Sequence, residues 1–245
     1  MLYHFARLST PDVGVLRGPG AGLGNLLFPI SRALVGSRVH GGVFVYPTMR
    51  QIKIGTLLRR ERDPRTYGDV LRARAAPEWR HWIASRMARS VNEDEFNADV
   101  RDGTVVYEGL RGYFHDLVGH RETILSWLDD NRRSRVDVAP YDIGVHVRFG
   151  DFREATGASA GHSVRQSIDW YRDAVARATR LVGRDHPSVR LFTDSAPEAI
   201  VAGLGARDIE VDQSASALDA ILGLSRARDI VTSRSTFSGW AAFLG

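Results

Sequence analysis

Short β-branched runs separated by segments of helical period constrain this chain more than any other feature in it. Strand-like runs fall at 13–16, 42–46, 104–107, 143–148, 189–193, 209–211 and 230–232. Between them, Ile168, Tyr171, Val175, Ala178 and Val182 recur at steps of three and four, which is one apolar stripe along a helix. Leu218, Ile221, Leu222 and Ser225 repeat that spacing over 216–227. Strand–helix alternation of this kind predicts an α/β architecture with mostly parallel sheets. A chain of 245 residues holds one large domain or two small ones, at roughly 100–200 residues each. The polar run Asn131-Arg132-Arg133-Ser134, closed by Pro140, marks the boundary, with an N-terminal domain over 1–136 and a C-terminal one over 137–245.

Composition removes several classes of function. The chain has no cysteine, which excludes disulfides, zinc ribbons and thiol nucleophiles. Apolar residues at 43% and charged residues at 25% are ordinary globular values and exclude a disordered chain. The longest apolar stretches, around 23–30 and 43–49, fall far short of the ~20 residues of a membrane span. Residues 1–12 carry no continuous signal-peptide core, so a cytoplasmic chain is expected. The net charge is only +4, and the arginines are scattered among acids. No basic stripe carries interleaved aromatics, so nucleic acid is not an expected partner. The stretch from Arg59 to Asn97 reads as helical pieces with a solvated basic face, able to meet anionic lipids at the inner face of a membrane.

Chemistry concentrates at strand ends. In Ile143-Gly144-Val145-His146-Val147-Arg148-Phe149-Gly150-Asp151, strand alternation puts the apolar residues on one face and His146 with Arg148 on the other. Open α/β sheets bind ligands at the carboxyl ends of their strands, and an arginine fork matches phosphate oxygens. Gly150 allows a sharp turn that returns Asp151 over the site; a strand-end Arg–Asp ion pair beside a core histidine explains the same residues. Thr232-Ser233-Arg234-Ser235-Thr236-Phe237-Ser238 sets five hydroxyls at a strand-to-helix junction, more than helix capping needs, which favours an anion site. The run Gly18-Pro19-Gly20-Ala21-Gly22-Leu23-Gly24-Asn25 fits neither the Walker nor the dinucleotide template, so it is a flexible turn or a loop that brings Asn25 to a ligand. Phe192-Thr193-Asp194-Ser195 is either a further strand-end site or a cap for the helix at Pro197. Asp219 suits a helix N-terminus without any function. The eight histidines show no metal-binding spacing, no D-x-D pair sits at a strand end, and no Gly-x-Ser-x-Gly elbow is present.

Taken in order, four blocks resemble the α-1,2-fucosyltransferases and the wider GT-B fucosyltransferase superfamily. Gly22-Leu23-Gly24-Asn25-Leu26-Leu27-Phe28 resembles GLGNQLF, and Gly112-Tyr113-Phe114-His115 resembles GYFQ. His146-Val147-Arg148-Phe149-Gly150-Asp151 resembles HVRRGD, and residues 235–244 resemble SSFSWWGAWL. Asp169-Trp170-Tyr171 and Phe192-Thr193-Asp194 fall where that family has a YY helix start and an FSDD strand end. The resemblance implies two Rossmann-like domains of GT-B type with a nucleotide-sugar cleft between them. It implies an inverting, metal-independent transfer of fucose from GDP-fucose to a hydroxyl of a glycan or lipid-linked oligosaccharide. By similarity Arg148 binds the β-phosphate, and His146 contacts the diphosphate or the sugar. Ser235 and Thr236 hold phosphate oxygens, with Ser238 in the same block. Gly24 and Asn25 approach the donor from the first domain, Asp219 pairs with the guanine edge, and Thr193 and Asp194 line the nucleotide pocket. Asp151, His115 and Glu108 are the candidates for a general base. Leu26, His115, Phe149, Gly239 and Ala241 depart from the family's blocks. Those departures keep open transfer from a different nucleotide sugar and an inactive nucleotide- or glycan-binding module.

Overall fold

A computed structural model describes residues 1–9, 21–45, 67, 70–71, 77–97, 99–133, 138–150, 165–206 and 208–245. The chain divides into two compact units, Met1–Arg133 and Ser134–Gly245. No helix among the described residues is long and apolar enough to cross a membrane.

In the first unit, β1 (Leu2–Arg7), β2 (Val43–Val45), β3 (Ser90–Asn92) and β4 (Gly103–Glu108) form a parallel sheet in the order β2-β1-β4-β3. Helix α1 (Leu23–Val39) joins β1 to β2, α2 (Pro77–Met87) precedes β3, and a 3-10 turn (His115–Leu117) and α3 (Arg121–Asn131) follow β4. The strand expected at 13–16 lies outside the described residues. The sheet instead contains Leu2–Arg7, a strand hidden from the sequence by a buried histidine. His4 is fully buried, with Nε2 donating to the Gly41 carbonyl (3.0 Å) and Nδ1 accepting from the Tyr107 hydroxyl (2.9 Å). Both ring nitrogens are therefore satisfied by the neutral form, and burial lowers the His4 pKa to about 4. Gly36 of α1 faces this pair, and any side chain there would collide with Tyr107.

Helix α1 begins inside the glycine-rich run. Leu23, Gly24 and Asn25 form its first turn, so that part of the run is helix and not loop. Every residue from Leu23 to Ser37 except Asn25 is buried. A helix covered on all sides needs no polar stripe, which is why its sequence shows no amphipathic period. On the opposite face of the sheet, Phe5, Val45 and Val106 pack with Trp82 of α2.

In the second unit, β5 (Tyr141–Val147), β6 (Val189–Thr193), β7 (Ile209–Val211) and β8 (Ala227–Val231) form a parallel sheet in the order β7-β6-β5-β8. Helices α4 (Ile168–Val182), α5 (Pro197–Leu204), α6 (Ala217–Leu224) and α7 (Thr236–Leu244) connect and flank the strands. The α4 stripe is the one expected: Tyr171, Val175, Ala178 and Val182 are buried against Ile143, Val145, Val147, Val189, Leu191 and Val231. Ser167 caps its start by accepting from the Trp170 N–H, and Gly183 ends it in the left-handed conformation. Gly144 faces the other side, where a side chain would run into Leu224 and Ala227.

The order of this second sheet fixes where a ligand can bind. The chain moves outward from β5 to β6 to β7, then returns to the other side of β5 as β8. Strand order therefore reverses between β5 and β8, and the crevice outside their carboxyl ends is the binding position of open α/β sheets.

Candidate functional site

The residues at this switch point are His146 and Arg148 on the β5 side, two apart, and Ser233–Ser238 on the β8 side. His146 is 6% exposed and stacks on Phe237, with centroids 4.7 Å apart and planes 18° from parallel. Its Nδ1 lies 2.8 Å from the Ser233 hydroxyl. Burial, with the nearby Arg148 charge adding to it, lowers the His146 pKa to about 3, so the ring is neutral at any ordinary pH. It therefore contributes no cation to the site. Its contacts anchor the β8–α7 turn to β5 across 87 residues of chain. Ser238 is fully buried in the same turn, and its hydroxyl reaches the carbonyls of Ser233 and Ser235 (both 3.2 Å).

The cation is Arg148. Its Nη1 donates to the Ser235 hydroxyl at 3.3 Å, and its Nε stands 3.8 Å from an Asp194 carboxylate oxygen. Its side chain is 23% exposed, partly open to a ligand. Ser235 also caps α7 by accepting from the Phe237 N–H at 3.3 Å. The guanidinium is thus held beside the N-terminus of a nine-residue helix, where backbone N–H groups and the helix dipole favour an anion. Thr236 is the first residue of that helix and is half-buried.

Asp194 has a use that the sequence left between two readings. It does not cap the following helix: the N-cap of α5 is Ala196, with no side-chain cap. Its Oδ1 accepts from the backbone N–H groups of both Phe149 and Gly150, each at 3.0 Å. The carboxylate thereby fixes the turn leaving β5 and orients Arg148, while the adjacent Thr193 hydroxyl accepts from the Ser195 N–H (3.2 Å). Gly150 leaves room for this, since a Cβ there would press on the Asp194 carboxylate at 3.0 Å. The Arg148 backbone N–H also donates to the buried Tyr171 hydroxyl, whose pKa desolvation raises to about 12.

Of the residues expected to act together, His146, Arg148, Asp194, Ser235, Thr236 and Ser238 converge in the second unit, with Thr193 at the adjoining strand end. Asp219, 4% exposed, sits in the first turn of α6, where it receives the Ser216 hydroxyl at 2.6 Å and returns its own N–H at 3.1 Å. The Ser216 hydroxyl thus caps α6 and binds the Asp219 carboxylate at once. Gly24 and Asn25 belong to the first unit, in the first turn of α1, with Gly24 buried and Asn25 half-buried. Asp151 lies outside the described residues. Ser233 and Phe237, the partners of His146, were visible in sequence only as members of a hydroxyl-rich run. Among the described residues no group of three or more His, Cys, Asp or Glu side chains is placed to hold a metal ion.

No family model and no curated protein matches the chain. In fold it is similar to the NodZ alpha-1,6-fucosyltransferase soaked with GDP-fucose, at TM-score 0.48 and 14% identity, over 99% of this chain and 91% of that one. It is also similar to fucosyltransferase NodZ from Bradyrhizobium, at TM-score 0.46 and 16% identity, over 96% and 94% of the two chains. The NodZ enzyme co-crystallized with GDP gives TM-score 0.44 and 16% identity, over 96% and 93%.

Burying two neutral histidines has a consequence for acid stability. His4 and His146 have folded pKa values of about 4 and about 3, against 6.5 for an unperturbed imidazole. Below pH 6.5 the unfolded chain takes up protons that the folded chain refuses, so their contribution is complete above 6.5 and is lost as pH falls toward the folded values. The loss amounts to about 1.4 kcal/mol for each pH unit crossed, per histidine. Denaturant unfolding at pH 7.5 and 5.0 should show markedly lower stability at 5.0, and equal stability at both would contradict the buried neutral assignment.

Proposed function

We propose that the chain is an inverting, metal-independent glycosyltransferase that moves fucose from GDP-fucose to a hydroxyl of a glycan or lipid-linked oligosaccharide. Its two parallel-sheet units are assigned as the two Rossmann-like domains of a GT-B enzyme, and the α-1,2 linkage follows the motif resemblance. The observation that carries the reading is Arg148, tied to Ser235 at the N-terminus of α7 and lying at the β5/β8 switch point. That is a site for a diphosphate.

In the reaction the bond between the sugar's anomeric carbon and the β-phosphate oxygen breaks, and its electron pair leaves with GDP. The acceptor hydroxyl forms the new bond and gives up its proton to a general base, for which Asp151, His115 and Glu108 are the candidates. Fixed donors aimed at the departing charge lower the barrier without reorganising, and Arg148 with the α7 N–H groups supplies them. The neutral His146 acts by position, holding Ser233 and hence the turn that presents Ser235 and Thr236. Gly24 and Asn25 are assigned to the donor from the first unit, and Asp219 to the guanine edge. The chain needs only peripheral contact with a membrane to meet a lipid-linked acceptor at its cytoplasmic face.

Calorimetric titration with GDP, UDP and ADP tests the donor site. GDP should bind selectively and be unaffected by EDTA. Asp219→Asn should weaken GDP and narrow its margin over the other two. Equal affinity for all three nucleotides argues for a different donor, loss of binding on chelation for a metal-dependent transferase, and no binding to any removes the enzyme reading.

A further inference from the structure

The carboxyl end of the first sheet carries a loop whose construction no donor-binding role explains. The sheet runs in the order β2-β1-β4-β3, so β1 and β4 are its two central strands and their carboxyl ends lie side by side. The loop after β4 leaves from this end of the sheet, and a buried ion pair holds it. Arg32, 5% exposed on α1, donates through Nε and Nη2 to the two carboxylate oxygens of Glu93, at 2.9 and 3.1 Å. Nη2 also reaches the carbonyls of Glu108 (2.8 Å) and Gly109 (3.2 Å), and Nη1 donates to the carbonyl of Arg111 (3.1 Å). Burying two charges is costly, and what this pair achieves in return is to fix three backbone carbonyls between the end of β4 and Arg111.

The loop presents one aromatic ring. Tyr113 has φ +47, a left-handed conformation rare for a non-glycine residue, and it follows Gly112 at φ +62. The Tyr113 ring is 52% exposed and meets the fully buried Phe28 edge-on, at 5.7 Å and 85°. Phe114, the next residue, packs on Phe28 at 4.8 Å and leaves Tyr113 as the residue turned outward. Strain of this kind persists only where the surroundings impose it, and it clusters at ligand sites. A single rigid ring, with the exposed His115 imidazole two residues on, is too small a surface for a protein partner. It matches one sugar ring. The C–H groups of a pyranose carry partial positive charge and are attracted to the negative face of an aromatic ring.

We infer that Tyr113 is the stacking platform for a pyranose ring of the acceptor glycan, with Arg32 as the positioning residue that holds it. The glycan class rests on the transferase reading above. Tyr113→Asn removes the ring while keeping a residue that tolerates the left-handed conformation, and Tyr113→Phe keeps the ring. Saturation-transfer NMR on the whole chain with lactose, N-acetyllactosamine, chitotetraose and maltotetraose should detect at least one of them. That signal should survive Tyr113→Phe and correspond to about tenfold weaker binding in Tyr113→Asn. A sugar bound equally by Tyr113→Asn, or none of the four bound by the natural chain, overturns the platform. GDP titration of the same samples separates the two readings. GDP binding without Tyr113-dependent sugar binding removes the platform alone. Tyr113-dependent sugar binding without GDP binding removes the donor assignment and leaves the platform.

Discussion

Arg148→Ala is expected to lower turnover of GDP-fucose by about two to three orders of magnitude, beyond any loss in donor affinity. The guanidinium is the charged donor at the β5/β8 crevice, 3.3 Å from Ser235 and partly open to a ligand. Negative charge grows on the β-phosphate as the sugar departs, so the interaction is stronger at the transition state than in the ground state. Such a change lowers kcat and kcat/KM together. Arg148→Lys should rescue little, because an ammonium offers no planar fork to hold Ser235 and a phosphate oxygen at once. Release of GDP measured against donor concentration checks this, with GDP calorimetry alongside. Turnover at the natural rate in Arg148→Ala would remove Arg148 from the mechanism. Its pairing with Asp194 at 3.8 Å, partly exposed, is too loose for the variant to unfold the unit.

Arg32→Ala is expected to be the most damaging single change for folding, destabilising the first unit by about 3–5 kcal/mol. The variant leaves the Glu93 carboxylate, 8% exposed, without its buried counter-charge, and strips donors from the carbonyls of Glu108, Gly109 and Arg111. Arg111 stands 3.9 Å from Glu93 and is already drawn to Asp94 at 2.7 Å, so it replaces little of what is lost. Removing both charges, as Arg32→Met with Glu93→Leu, should recover the part due to the stranded carboxylate but not the part due to the loop carbonyls. Denaturant unfolding of the single and double variants measures the two parts. A loss below 1 kcal/mol in Arg32→Ala would show that the clamp is not what holds the loop.

These predictions divide unevenly between what could be read along the chain and what could not. The α4 stripe and the alternation in β5 were legible, because each is a local period imposed by one face meeting a core. The Arg148 position at a strand end was legible for the same reason. Three elements were not. Helix α1 is buried all round, so it has no polar face to betray its period. Strand β1 hides behind His4, whose polarity is satisfied by Tyr107 and Gly41, far along the chain. Strand β3 is three residues within an arginine-rich stretch, too short for alternation to register.

The sequence by itself determined the α/β class, which side chains share a face of β5, and that hydroxyls gather where α7 begins. Only the tertiary structure decided their partners. Asp194, just past the end of the neighbouring strand, fixes the turn that carries Arg148; His146 is neutral under Phe237; Arg32 reaches Glu93 and the loop after β4. The reason is physical. Local periods follow from backbone geometry within a few residues, whereas β8 returning beside β5, and β4 beside β1, is settled by the packing of whole strands. Pairings across 87 or 61 residues exist only once those strands lie side by side.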